Sequence, residues 1–141
     1  MGEVNPVRRA RKVRIHCPLD QGVFAALLGG EGEAIERDPT AAKMLAIIRA
    51  DNPLGDFGAY KGVVEISFGL ESFTPTADAA PALGVAGRPA ISPTAILTTY
   101  VDEGADPELV RAALRQLATA HPWEIPVIEF DERPVELIRR P

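Results

Sequence analysis

The six residues His121-Pro122-Trp123-Glu124-Ile125-Pro126 constrain this chain more than any other stretch. Each proline locks φ near −65° and removes a backbone donor, so the segment is excluded from a helix interior and from a central strand. It reads as a rigid corner between a strongly patterned helix and a short apolar strand. The corner also gathers the only tryptophan, one of the two histidines and a carboxylate. Two readings stand at this point. Either the corner simply turns the chain while Trp123 fills core, or it presents His121, Trp123 and Glu124 to a ligand or a neighbouring subunit.

The flanking pattern names the elements that the corner joins. Asp106-Pro107-Glu108 combines an N-cap acid, a first-turn proline and a second acid at the positive helix end, after which Val110, Ala113, Leu114 and Leu117 form one apolar face down to Ala120. Pro126 to Phe130 reads as the strand beyond the corner.

Upstream, Lys12 to Cys17 alternates, with Val13, Ile15 and Cys17 on one face, and stops at Pro18, which predicts a first strand. Asp20 caps a short helix carrying Val23, Phe24, Leu27 and Leu28 and ended by Gly29-Gly30. Asp38-Pro39 opens a second helix with the stripe Ala41, Met44, Leu45 and Ile48, broken at Asn52-Pro53. The Gly-Glu-Gly-Glu stretch between them is expected to be a flexible acidic connection. Gly29, Gly30 and Gly32 do not make a phosphate cradle, because no strand leads into them and no Gly-Lys-Ser follows.

Val64, Ile66 and Phe68 alternate with Val63, Glu65 and Ser67 as a second strand, with a bend or bulge expected at Gly69. Thr74 then opens a long loop marked by Pro75, Pro81, Gly84, Gly87, Pro89 and Pro93. A loop of this length inside a compact domain tends to carry function or to pack on another subunit. Ala95 to Val101, rich in β-branched residues, is the third strand, and Val135, Leu137 and Ile138 suggest a short packed extension at the end.

The resulting order contains two βαβ crossings. It predicts an α+β fold, a ferredoxin-like βαββαβ sandwich with an extra helix after the first helix and a long loop before the third strand. A single domain over residues 12–141 is expected, preceded by a flexible basic arm over residues 1–11 that starts the cluster Arg8, Arg9, Arg11, Lys12 and Arg14. Val63, Leu97, Val101, Ile128 and Phe130 predict a second apolar sheet face, which self-association into a homodimer or homotrimer would cover.

Composition narrows the function classes. Fifteen Lys and Arg against twenty Asp and Glu give a net charge of −5, which argues against nucleic acid as the main partner. One cysteine excludes an internal disulfide and, without any CxxC, predicts a reducing, cytoplasmic setting. The apolar runs fall far short of the roughly 20 residues that span a bilayer, so a soluble chain with no membrane partner is expected.

Catalytic chemistry has few residues to work with. There is no triad of nucleophile, base and orienting acid, and neither histidine sits in an HExxH spacing. The alternative to a binding module is a small enzyme using His121 as general base with Glu124 or Asp131 orienting it. A metal site from His121 and Glu124, joined by His16 or Cys17, is a third reading with too few ligands. No cofactor is expected.

From Gly55 onward the motifs resemble those of the CutA-like domain of the YqfO group, the NGG1p-interacting-factor-like proteins. The residues that carry the likeness are Gly58-Ala59-Tyr60, Ser67-Phe68-Gly69, Phe73-Thr74-Pro75, Ala79-Ala80-Pro81 running on to Gly84, and the His121 to Pro126 corner. Trp123 stands where that family has tyrosine, and the Asp38 to Ala50 segment adds about one helix. The resemblance implies a fold related to the signalling PII proteins, assembled into dimers or trimers. With no catalytic set legible, the favoured reading is a non-catalytic oligomeric binding or regulatory domain, similar to the CutA-like domain, for a small-molecule or anion ligand. It implies His121, Trp123, Glu124, Tyr60, Ser67 and Phe73 as binding residues. The dinuclear metal chemistry of longer YqfO-group proteins belongs to a separate domain, outside the stretch that the likeness covers.

Overall fold

The computed structural model describes residues 7–140. Its elements run β1 (Val7–Pro18), α1 (Gln21–Leu28), a 3-10 turn (Gly32–Arg37), α2 (Pro39–Arg49), β2 (Val64–Phe73), β3 (Ala90–Asp102), α3 (Pro107–Ala120), β4 (Ile128–Phe130) and β5 (Val135–Ile138). The sheet order is β2-β3-β1-β4, antiparallel throughout, and β5 continues the β4 edge by pairing with the start of β1. Each βαβ crossing therefore skips one strand, which is the split arrangement of a ferredoxin-like α+β fold. Among the described residues no helix is long and apolar enough to cross a membrane.

The helices start where their caps dictate. Asp20, Asp38 and Asp106 each accept a backbone N–H from the first turn, and Asp38 and Asp106 precede a first-turn proline. Asp38 is buried and takes a second bond, from the Asp20 N–H at 2.8 Å, so one carboxylate ties the starts of α1 and α2 together. The stripe Ala41, Met44, Leu45 and Ile48 of α2 packs with Val110, Ala113 and Leu117 of α3 on Val13, Ile15 and Cys17 of β1 and on Ala95, Leu97 and Val101 of β3. Leu28, expected on the apolar face of α1, is 67% exposed.

Five expectations need correction. Residues 1–6 of the basic arm lie outside the described residues, but Val7 to Arg11 are not an arm, since they form the first part of β1 and pair with β5 and β3. Arg8 shows why. Its guanidinium binds Asp102 at 3.1 Å and the Asp56 carbonyl at 2.9 Å and lies over the Phe57 ring at 4.2 Å, so the charge that suggested solvent has three partners.

The Gly-Glu-Gly-Glu stretch runs into the 3-10 turn, anchored by buried Ala34 and Ile35. Gly69 makes no bulge, because the β2–β3 register is unbroken from Val64↔Thr99 to Phe73↔Ala90. The third strand begins at Ala90, five residues before the expected start, despite Pro93. The Pro93 carbonyl accepts from Leu19 N–H, so the missing donor faces the side where β1 ends and takes nothing from the β2 ladder.

Finally, the second sheet face is not apolar. Register places Leu97 opposite Ile15, Ile128 opposite Ile15, Phe130 opposite Val13 and Val101 opposite Arg11, all on the helix-packed face, while Val63 precedes β2. The other face carries Lys12, Arg14, His16, Glu65, Ser67, Thr98, Tyr100 and Glu129.

Of the glycines in the turn before β2, Gly55 has the least room. Gly55 has φ +64, donates to the Tyr100 carbonyl and accepts from the Val63 N–H. A Cβ there would lie 2.6 and 2.7 Å from Val63 backbone atoms. Gly55→Ala is expected to destabilise the fold by at least about 2 kcal/mol, combining left-handed strain with a backbone clash. Gly69→Ala, with open space at its Cβ, should be neutral or stabilise by about 0.5 kcal/mol. Urea melts of the two variants check the contrast.

Candidate functional site

α3 stops because Pro122 disfavours helical geometry at the residue before it, and His121 accordingly sits at φ −71, ψ 136 with its N–H on the Leu117 carbonyl. The His121 ring is buried. Its Nδ1 accepts the Trp123 N–H at 3.1 Å, which places the ring hydrogen on Nε2, and Nε2–H donates to the His16 carbonyl at 2.7 Å. The same His16 uses its N–H to bind the Val127 carbonyl, so the corner is stitched to β1 on both backbone groups of one residue.

This stitching aims Trp123 across the end of the sheet. Its half-buried indole meets Phe73, the last residue of β2, with ring centroids 5.1 Å apart and planes at 58°, and meets the His121 edge at 6.0 Å. Glu124, exposed, accepts the Ala80 N–H at 2.6 Å and so fastens the 74–89 loop to the corner. Within that loop Gly84, at φ +95, lets the backbone approach Phe73 and Pro75, where a Cβ would already lie 3.3 to 3.4 Å from their side chains.

Between loop and corner lies a groove of about 420 Å³, walled by Phe73, Pro75, Pro81, Leu83, Trp123 and Ile125 and bearing the carboxylates Glu71, Asp78 and Glu124. A second depression of about 450 Å³ lies between the starts of α1 and α2 and the Ile91 end of β3. Trp123, Ala82 and Leu83 border both.

The structure thus brings together three of the expected site residues, Phe73, Trp123 and Glu124. His121 stands behind them as a joint and has no ring nitrogen free. Tyr60 is 74% exposed in the turn before β2, and Ser67 sits on the polar sheet face; neither lines the groove. Of the weak metal candidates, His16 lies beside Glu129 at 3.8 Å on the polar sheet face, away from Glu124. Among the described residues no three His, Cys, Asp or Glu side chains gather as a metal site.

Asp131, the alternative orienter of His121, uses its backbone N–H on Lys12 and gives the ring no contact. Cys17 is fully buried, and burial, with Asp38 nearby, pushes its thiol up to about 12, which leaves no thiolate at neutral pH. Glu71 was missed by the sequence reading although strand alternation puts it on the Phe73 face; Asp78, Leu83 and Ile125 carried no periodic signal.

A ferredoxin-like α+β domain with an aromatic, acid-bearing groove at the end of its long hairpin is the class that these features define. No family model matches the chain, and no curated protein does. Among solved structures it is similar to a Bacillus cereus protein related to NIF3, with a TM-score of 0.58 and 16% identity over 94% of this chain. The match takes in 27% of that chain, so this sequence spans about a quarter of its length. At this identity the likeness establishes the fold alone.

His121→Ala is expected to destabilise the protein by about 2 kcal/mol, because it strips partners from the His16 carbonyl and the Trp123 N–H. A thermal melt measures this, and an unchanged melting temperature would refute the joint. Native Cys17 should resist a thiol reagent at pH 8 and react at once in denaturant.

Proposed function

We propose that the chain is a non-catalytic binding module, with the groove between the 74–89 loop and Trp123–Ile125 as its ligand seat. The observation that carries this reading is the Phe73–Trp123 pair, two large rings left partly open to a concave surface and held there by the His121 joint and the Glu124–Ala80 bond. A volume of about 420 Å³ falls in the range of small-molecule sites. The motif likeness to the CutA-like domain of YqfO-group proteins supports a binding or regulatory role, and the fold shared with part of a NIF3-related protein is compatible with it. A catalytic reading has less to draw on, because the buried His121 ring is fully engaged and the only thiol is unreactive.

The reading includes a cytoplasmic setting, since a lone buried Cys17 gives no bridge to stabilise the chain outside the cell. It also includes self-association, on a different surface from the one that the sequence suggested. β2 is a ten-residue edge strand whose helix-side residues Ile66, Phe68 and Leu70 stay 36, 39 and 67% exposed.

A second copy can add antiparallel to this edge about a two-fold axis at Ser67. Ile66 then lies opposite Phe68 of the partner subunit and Glu65 opposite Gly69 of the partner subunit. An axis at Phe68 would instead set Glu65 against Glu71 of the partner subunit, and like charges directly opposed destabilise a pair.

Two measurements test the proposal. The only tryptophan of the chain lies in the groove, so a small-molecule screen read by intrinsic fluorescence reports on this site, and Phe73→Leu should weaken any hit severalfold while the fold persists. Light scattering on a sizing column is expected to show a dimer that Phe68→Lys converts to monomer. A wild-type monomer across micromolar concentrations would overturn the edge pairing.

A further inference from the structure

We infer that the groove is selective for small organic cations, a protonated amine or guanidinium carried on an apolar arm. This assignment rests on the groove being the ligand seat. Its charged lining is one-sided: Glu71, Asp78 and Glu124 border the aromatic walls, and among the described residues no Lys, Arg or His lines it. None of the three carboxylates belongs to an ion pair among the described residues, so no neighbouring cation already neutralises them. Glu124 is partly engaged through Oε1 with the Ala80 N–H, which leaves Oε2 to face the groove or solvent.

The aromatic pair and the acids act on a cation in the same direction. The face of an indole or phenyl ring is the negative end of its quadrupole and attracts a cation within about 6 Å, tryptophan most strongly. Carboxylates within about 8 Å, the screening length at physiological salt, add to that attraction and repel an anion. The net charge of −5 carries the same sign at longer range. Pro75, Pro81, Leu83 and Ile125 then supply apolar contact for the rest of the molecule. A bare metal ion lacks this last term and would find no three converging ligands among the described residues. The anion that stood beside a small molecule as an expected ligand meets only like-charged side chains here.

The test uses one skeleton with three head groups, 4-phenylbutylamine, 4-phenylbutanol and 4-phenylbutyrate, titrated into the full chain at two salt concentrations. Binding is read from the fluorescence of Trp123, with N-acetyltryptophanamide as the control for collisional quenching. The amine is expected to bind about tenfold more tightly than the butyrate, with the alcohol between them, and to weaken as salt rises. The double variant Glu71→Gln with Asp78→Asn should shrink the gap to about threefold without changing the melting temperature.

Glu124→Gln separates charge from clamp. The amide oxygen still accepts the Ala80 N–H, so only the preference for the cation should fall. Butyrate binding as tightly as the amine would overturn the cation assignment and leave the ligand seat standing. A lysine-rich peptide that outcompetes the amine would overturn the assignment to a small molecule. No fluorescence response to any of the three compounds up to about 10 mM, where even millimolar binding registers, would overturn the ligand seat and the assignment together.

Discussion

The hydrogen bond from His121 to the His16 carbonyl joins the sheet to the corner, and the position of every groove residue on the corner side follows from it. A turn with two prolines has few donors of its own to offer, so a strand edge running beside it is left with acceptors to satisfy. The imidazole answers both needs. One nitrogen donates to β1, and the other accepts the N–H of the residue that carries the indole. Because the ring is buried, water is a poor substitute for either bond, and the orientation of Trp123 is set by the backbone of the central strand rather than by the loop.

The groove itself combines rigidity with little burial. Prolines at 75, 81 and 89 remove conformational freedom from the unfolded loop, and Glu124 fixes its middle through the Ala80 N–H. Gly84 brings the loop backbone close enough to pack on Phe73. The outcome is a concave aromatic surface that exists before any ligand arrives, which lowers the ordering entropy that binding would otherwise have to overcome.

Local chemistry in the sequence was legible and long-range geometry was not. The three Asp caps and the apolar stripes of α2 and α3 follow from spacings within a dozen residues, and the order of elements they delimit points to a ferredoxin-like sheet. Phe73, Trp123 and Glu124 were marked as site residues, but their meeting depends on how a hairpin and a corner 50 residues apart are placed. His121 stands out in the sequence as a ligand-facing residue, but nothing there shows which carbonyl a histidine will reach across 105 residues. Arg8 misled in the same way, because a basic residue near a terminus reads as solvated until Asp102, Asp56 and Phe57 are seen beside it. The supposed second apolar face failed on register: a strand alternates strictly, and the choice of which set faces the helices is made by pairing with β1.

The placement of the groove follows from where β1 ends. From Thr94 to Thr99 the third strand is flanked by both β1 and β2, but residues 90–92 are paired only with β2, so the far end of the β2–β3 hairpin is a two-stranded ribbon. Such ribbons are marginal in water unless something packs on them. Here the packing comes from the corner, through Trp123 on Phe73 and Glu124 on Ala80, so the residues that wall the groove are also those that brace the least supported part of the sheet. Local opening free energies are lowest where strands have single partners and side chains stay partly exposed. A ligand seated between Phe73 and Trp123 would therefore stabilise the hairpin end as well as fill the groove, coupling occupancy of the site to the order of the 74–89 loop.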